Sequence, residues 1–272
     1  MILFPNAKIN LGLNVVEKRP DGYHNIETVF YPIGLSDVLE VEPSETCSDY
    51  SFSSSGITID GDPEDNLIVK AYHLLRSGYQ FSPIDISLVK QIPFGAGLGG
   101  GSADAAFMLK AINELFKLKI TPSRLEKIAA KLGADCPVFI RNRPVFATGI
   151  GNVFTAIDLS LKGYFLLLVK PDIHVSTPEA YSLVKPEIPQ HSLIELIKQP
   201  VSDWKNTIKN DFEKSVFARY PAIEKIKNDI YEMGAVYASM SGSGSSVFGI
   251  FESVPERTDL FEGCFVSGGM LD

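Results

Sequence analysis

Five glycines fall between a proline and an alanine-rich run in PFGAGLGGGSADAA, residues 93–106. Glycine lets main-chain N–H groups turn toward a ligand with no Cβ in the way. Where such a loop runs into a helix, the helix start adds N–H groups without intrahelical acceptors and a partial positive charge. Together these features make an anion trap suited to a polyphosphate. A flexible connection is the plainer alternative, but here the loop is held tightly between a strand and a helix. A Walker loop ends in Gly-Lys-Ser/Thr; Gly101 is followed instead by Ser102 and Ala103, and the next lysine is Lys110. The dinucleotide fingerprint G-x-G-x-x-G is matched formally by Gly95, Gly97 and Gly100. Its context is wrong, because a second helix follows the first and no returning strand carries an acid.

Other residues could do chemistry. Lys8 and Asn10 lie two apart in AKINLGLNVV, so both side chains leave the same face of a strand. A solvated lysine is the ordinary alternative for Lys8. Asp135 interrupts the apolar stretch LGADCPVFI, as a turn residue or as a functional charge. Tyr23 and His24 follow a Pro-Asp-Gly turn, where a histidine is ordinarily a surface residue.

The elements that must position these groups are readable. In AKINLGLNVV, Ile9, Leu11, Leu13 and Val15 alternate with Lys8, Asn10, Gly12 and Asn14, which predicts a strand with one buried face. With NIETVFYPI it forms a hairpin whose tip precedes Tyr23 and His24. SDVLEVEPS, GITIDG, IDISLVKQI and GYFLLLVKP read as further strands. NLIVKAYHLLRSG has helical spacing, with Gly78 as its stop. A helix follows the glycine loop, with Ser102 as its cap and Asp104 at its positive end. Another starts at Pro122 and stops by Gly133. SLIELIKQ and a long segment broken at Pro221 are helical, and AVYASMSGSGSSVFGIF reads as two strands joined by a Gly/Ser loop. Strands and helices mix without a regular βαβ rhythm, so the expected class is α+β, with a boundary near residue 155.

Composition bounds the rest. The chain has 272 residues, 45% hydrophobic and 21% charged, which is enough to bury a real core. A net charge of −8 argues against nucleic-acid or anionic-membrane partners. Cys47, Cys136 and Cys264 are far apart and odd in number, and the four histidines are scattered. No structural metal is expected, and reduced thiols and a cytoplasmic setting are. The N-terminus lacks signal-peptide character, and the apolar run YFLLLV is too short to span a membrane.

The glycine stretch resembles the second motif of the GHMP kinase superfamily, P-x-x-x-G-L-G-S/G-S/G-x-A. Two further motifs of that superfamily have counterparts in PNAKINLGL near the N-terminus and MSGSGSSVF near the C-terminus. AKINLGLNVVEKRPDGYHNIET, GADCPVFI and PDIHVSTPEAYSLV narrow the resemblance to one branch. It implies a two-domain α+β fold: an N-terminal domain over 1–155 like ribosomal protein S5 domain 2, and a ferredoxin-like domain over 156–272, with the active site between them. It implies ATP held by Pro93, Phe94, Gly95, Ala96, Gly97, Leu98, Gly99, Gly100, Gly101, Ser102 and Ala103, with Mg2+ on its phosphates and no dedicated metal cage. The implied acceptor is a small molecule, a methylerythritol unit linked to cytidine diphosphate. Its C2 hydroxyl becomes a 2-phosphate in the non-mevalonate isoprenoid route. Asp135 would take the hydroxyl proton or orient the alcohol, and Lys8 would hold aspartate and hydroxyl in register. His24 would bond the cytosine edge, Tyr23 and Tyr181 would stack on its faces, and Asn10 and Thr177 would line the acceptor site. Gly242 and Gly244 would shape the third motif near the site, as a hairpin turn also would. Two departures stand out: Ala103 replaces a common serine, and Ser241 stands where threonine is frequent. A monomer or weak homodimer is expected.

Overall fold

A computed structural model describes residues 1–59, 61–257 and 260–271. In chain order its strands are β1 (Ile2–Leu3), β2 (Asn6–Lys18), β3 (His24–Ser36), β4 (Val38–Pro43), β5 (Tyr50–Gly56), β6 (Ile84–Lys90), β7 (Val145–Thr148), β8 (Val153–Ala156), β9 (Phe165–Lys170), β10 (Tyr237–Met240), β11 (Val247–Phe251) and β12 (Phe265–Met270). Its helices are α1 (Leu67–Arg76), α2 (Gly100–Leu115), α3 (Pro122–Ala129), α4 (Val138–Arg141), α5 (Thr177–Tyr181), α6 (Leu193–Leu196), α7 (Val201–Thr207), α8 (Phe212–Arg219) and α9 (Pro221–Glu232). β5 and β6 pair parallel, while β4–β6, β3–β7, β9–β11 and β10–β11 are antiparallel, as an α+β fold requires. No helix among the described residues is long and apolar enough to cross a membrane.

The chain divides into two compact units, each made of several stretches. The first takes 1–7, 35–94 and 99–143; the second takes 8–34, 95–98 and 144–272. Compactness therefore does not follow a single cut in the chain. The first unit carries a sheet in the order β1-β4-β6-β5, with α2 packed against α1, α3, α4 and β4. The second carries two sheets, β2-β3-β7-β8 and β10-β11-β9-β12. Against β10 and β11 lies α9, whose Ile223, Ile226 and Ile230 are buried at helical spacing. A Cβ on Gly249 of β11 would lie 2.3 Å from Ile230 Cγ2, so glycine lets that helix close on the sheet.

Several expectations are met. The hairpin of β2 and β3, the start of α3 at Pro122 and the break at Pro221, which opens α9, all stand. Others need correction. GITIDG is not a strand beyond its first residue, Gly56, and its Asp60 lies outside the described residues. The strand is YSFSSSG, which ends where Gly56 takes φ +83° and where a Cβ would stand 2.3 Å from the Lys90 carbonyl oxygen. Ser102 does not cap α2: the cap is Gly99 at φ +72°, with no side-chain bond. Asp104 does not serve the helix end either, because it is buried against Lys90. The second face of β2 is not solvated, since Lys8, Asn10 and Asn14 are all buried.

Candidate active site

In the second unit, β2 brings Lys8 and Asn10 side by side. Lys8 Nζ donates to Asn10 Oδ1 at 2.7 Å and to the Gly97 carbonyl at 3.0 Å, with the Phe30 ring centroid 5.0 Å away. Asn10 Nδ2 donates to Thr28 Oγ1 at 2.9 Å, whose hydroxyl in turn donates to the Gly12 carbonyl at 2.6 Å. The chain buries this cation only within a closed set of hydrogen bonds, as the cost of desolvating an ammonium demands.

The loop between β10 and β11 closes on the same place. Ser241 Oγ donates to the Gly97 carbonyl at 2.8 Å and accepts the Asn10 amide at 3.2 Å. Gly97 has φ +73°, and a Cβ there would stand 1.9 Å from the Ser241 carbonyl oxygen. Gly242 and Gly244 also take positive φ, and Gly244 N donates to the Ser241 carbonyl, so they build a hairpin turn that is also the wall behind Gly97. Asn210 holds this turn from behind, donating to the Met240 and Gly242 carbonyls at 2.8 Å each. The glycine segment is fixed on its other side by Lys8 N bonding the Leu98 carbonyl at 3.0 Å. At Gly95, a Cβ would meet His174 Nδ1 at 2.5 Å.

An aromatic group lies in the same unit. His24 and Tyr181 stack with centroids 4.5 Å apart and planes 19° apart, and Phe212 meets Tyr181 edge-on at 4.7 Å. Burial and the nearby Lys18 charge lower the His24 pKa, which favours the neutral ring; burial raises that of the Tyr181 phenol. Tyr23 stands exposed at the hairpin tip, and Thr177 is exposed at the start of α5. That helix is set by a capping box between Ser176 and Glu179.

The first unit holds Pro93, Phe94, residues 99–103 and Asp135. α2 begins at Gly100, so Gly100, Gly101 and Ser102 form its first turn. Gly100 is crowded, since a Cβ would meet Ile92 Cγ2 at 2.8 Å, whereas at Gly101 the nearest protein atom is Leu67 Cδ1 at 3.7 Å. Asp135 is half-buried in the turn before α4, its carbonyl accepting Val138 N at 3.2 Å. The adjoining Cys136 is buried and hydrogen-bonds the Ser102 side chain; burial pushes the thiol up to about 11, against the pull of Ser102. The structure thus brings Ser102 and the Asp135–Cys136 pair to one end of α2. It joins Lys8, Asn10 and Gly97 in a second group and His24 with Tyr181 in a third. Tyr23 and Thr177 join none of these.

Two buried residues escaped the motifs. Lys90 pairs with Asp37 and Asp104, and Asn210 carries the third glycine turn. Lys90 had a signal: it falls in phase with Ile84, Ile86 and Leu88 on the buried face of β6.

Among the described residues no group of three or more His, Cys, Asp or Glu is placed to hold a metal ion. A strand-to-helix glycine loop, a buried lysine and single carboxylates suit phosphoryl transfer, which needs placement and charge neutralisation more than covalent chemistry. Comparison with known proteins agrees. The family described as GHMP kinases N terminal domain matches residues 66–143, and GHMP kinases C terminal matches 190–259. The chain belongs to the GHMP kinases. The 4-diphosphocytidyl-2-C-methyl-D-erythritol kinase of Parabacteroides distasonis is 60% identical over 100% of both chains. A crystal structure of 4-(cytidine 5'-diphospho)-2C-methyl-D-erythritol kinase has a TM-score of 0.81 at 31% identity, covering 100% of this chain and 99% of that one. Within the class, the chain is therefore a member of the 4-diphosphocytidyl-2-C-methyl-D-erythritol kinase family. The homoserine kinase of Cytophaga hutchinsonii, at 17% identity and a TM-score of 0.68 over 98% of this chain and 94% of that one, shares the fold alone.

Proposed function

We propose that this chain transfers the γ-phosphoryl group of ATP to the C2 hydroxyl of 4-diphosphocytidyl-2-C-methyl-D-erythritol, giving the 2-phosphate for isoprenoid precursor synthesis. The observation that carries this reading is 60% identity along the whole chain to a kinase of that name. Along the sequence we assign 1–155 to the N-terminal family domain and 156–272 to the C-terminal one; the two matched family segments fall on either side of that cut.

We assign the residue roles from the family resemblance, and the local chemistry supports them as follows. The main chain of residues 93–103 receives the phosphates, and the first turn of α2 offers N–H groups to them. Mg2+ neutralises β- and γ-phosphate oxygens in such reactions. The ion typically keeps phosphate and water ligands and needs few from the protein, so the Ser102 hydroxyl at the start of α2 would serve to hold it. Lys8 presents a fixed cation for charge that develops on the transferring group, held in place by Asn10 and the Gly97 carbonyl. Asp135 orients the attacking hydroxyl and accepts its proton as the new bond forms. His24, Tyr23 and Tyr181 take the cytosine, and Asn10 and Thr177 the rest of the acceptor. The His24 ring lies on one face of Tyr181, so a base stacked on that face requires the imidazole to swing aside and meet the base at its edge. Free thiols at Cys47, Cys136 and Cys264 suit a cytoplasmic enzyme, and we expect a monomer or weak homodimer.

The test is an ATP-coupled assay with diphosphocytidyl-methylerythritol, homoserine and mevalonate as competing acceptors. Turnover of the cytidine compound alone is expected. Equal or faster turnover of either other alcohol would sink the assignment.

A further inference from the structure

We propose that Lys90, clamped between Asp37 and Asp104, is the positioning residue of the nucleotide loop, tying the strand that enters the loop to the helix that leaves it. The proposal rests on the reading of residues 93–103 as that loop.

β6 ends at Lys90 and α2 starts at Gly100, leaving nine residues without regular structure, three of them glycines at positive φ. Such a stretch has much backbone entropy to lose, so its ends must be fixed if its amides are to converge. The buried cluster fixes both. Asp37 Oδ1 accepts the amides of Gln91 at 2.6 Å and Ile92 at 2.8 Å, the first two residues of the loop. Its other oxygen accepts Lys90 Nζ. Lys90 Nζ then crosses to α2 and donates to Asp104 Oδ2 at 2.8 Å. Its ammonium also lies 5.1 Å from the Phe94 ring centroid. A Cβ on Gly100 would come within 3.0 Å of Lys90 Nζ, so the first residue of α2 sits directly on the lysine.

Stability alone is a poor account of this cluster. Lys90 is 1% exposed and Asp37 fully buried, and buried ion pairs seldom outdo apolar packing. Two carboxylates face one ammonium, and Asp104 Oδ1 is buried without a hydrogen-bond partner. What the arrangement supplies is direction: four hydrogen bonds set where the loop leaves β6 and where α2 begins.

The test uses the full chain with ATP and the cytidine acceptor. Asp104→Ala removes the link to α2 while Lys90 keeps Asp37; Asp104→Asn restores an acceptor of the same shape. For Asp104→Ala the KM for ATP is expected to rise about tenfold, the size of one lost charge-assisted bond. The kcat at saturating ATP and the KM for the acceptor should move less than about twofold. Asp104→Asn should bring the KM for ATP back to within about twofold of the parent. If Asp104→Ala does not fold, Asp104→Leu, close to aspartate in shape, is read the same way. A lower melting temperature with an unchanged KM for ATP would overturn the proposal, as would equal effects on both substrates. Gly101→Ala separates the two readings. If it raises the KM for ATP while Asp104→Ala does not, only the positioning role fails. If Gly101→Ala leaves the KM for ATP at the parental value, the nucleotide loop is wrongly placed and the positioning role falls with it.

Discussion

The two halves of the glycine run do different work. In residues 95–98 the glycines are dictated by protein: His174 occupies the space of a Cβ at Gly95, and the Ser241 carbonyl that of a Cβ at Gly97. In residues 99–103 the requirement loosens. Gly100 is pressed by Ile92 and Lys90, but Gly101 has ordinary van der Waals room on its protein side. A glycine that protein does not demand is the better candidate for meeting a ligand. The first half is thus a joint between backbone segments, and the second is the part that, under the proposed function, receives phosphate. Substitutions along one short stretch should therefore differ in kind as well as in size.

The largest effect is expected from breaking the joint. Gly97→Ala forces a Cβ to 1.9 Å from a backbone oxygen at φ +73°. Left-handed strain and overpacking together cost about 2–5 kcal/mol. The melting temperature should fall by roughly 5–15 °C, with loss of soluble protein at the upper end. Calorimetry checks this; a variant that melts with the parent would make the two halves equivalent.

Next comes the lysine bound to that joint. Lys8→Met keeps the length and apolar stem but removes the donor to Asn10 and Gly97. If Lys8 stabilises charge in the transition state, kcat should fall by about 10²–10³-fold while nucleotide affinity stays near parental. Single-turnover kinetics with a fluorescent ATP analogue separates the two quantities. A variant that loses affinity and keeps its rate would move Lys8 out of the chemistry.

On the other half, Gly101→Ala should leave the melting temperature in place, because the nearest protein atom is 3.7 Å from the new methyl. The KM for ATP should rise by about tenfold, the cost of one displaced charge-assisted hydrogen bond. An unchanged fold with an unchanged KM would erase the contrast with Gly97.

The sequence carried much of this, but unevenly. Period-two alternation found β2 and β6, and Pro122 and Pro221 marked helix starts, because those signals act within a few residues. The glycine motif was legible as a loop before a helix. Which glycines answer to protein was not, since that depends on Ser241, 144 residues away from Gly97. The same limit explains Ser102 and Asp104. Local rules favour serine as a cap and an acid near a helix N-terminus, yet Gly99 at positive φ ends the loop and Lys90 draws Asp104 inward. The polar face of β2 left a solvated lysine open as the alternative, because alternation reports one buried face and is silent about what covers the other. The candidate residues could be named from the sequence only as single positions. The groupings, such as Lys8 with Asn10 and Gly97 or His24 with Tyr181, belong to tertiary structure.

The smallest effect tests the support beneath the second half, through pH. Burial raises the Asp104 carboxyl above the ordinary carboxylate range, the Asp37 charge adds to this, and the Lys90 ammonium opposes both. In the unfolded chain the same group titrates near 4. A folded value above the unfolded one means that the native state holds the proton more tightly, so its stabilising contribution is complete below the unfolded value. That contribution is lost as pH rises through the folded one. Asp104→Asn carries no titrating group and lacks this slope. The stability of the variant relative to the parent should shift in favour of asparagine as pH climbs from the unfolded carboxylate value toward neutrality, read as a sloping difference between their melting temperatures. Any fixed offset from the altered bond to Lys90 is independent of pH and drops out of the slope. Parallel melting curves across that window would mean that Lys90 neutralises Asp104 fully, and that the cluster beneath the loop bears no excess negative charge.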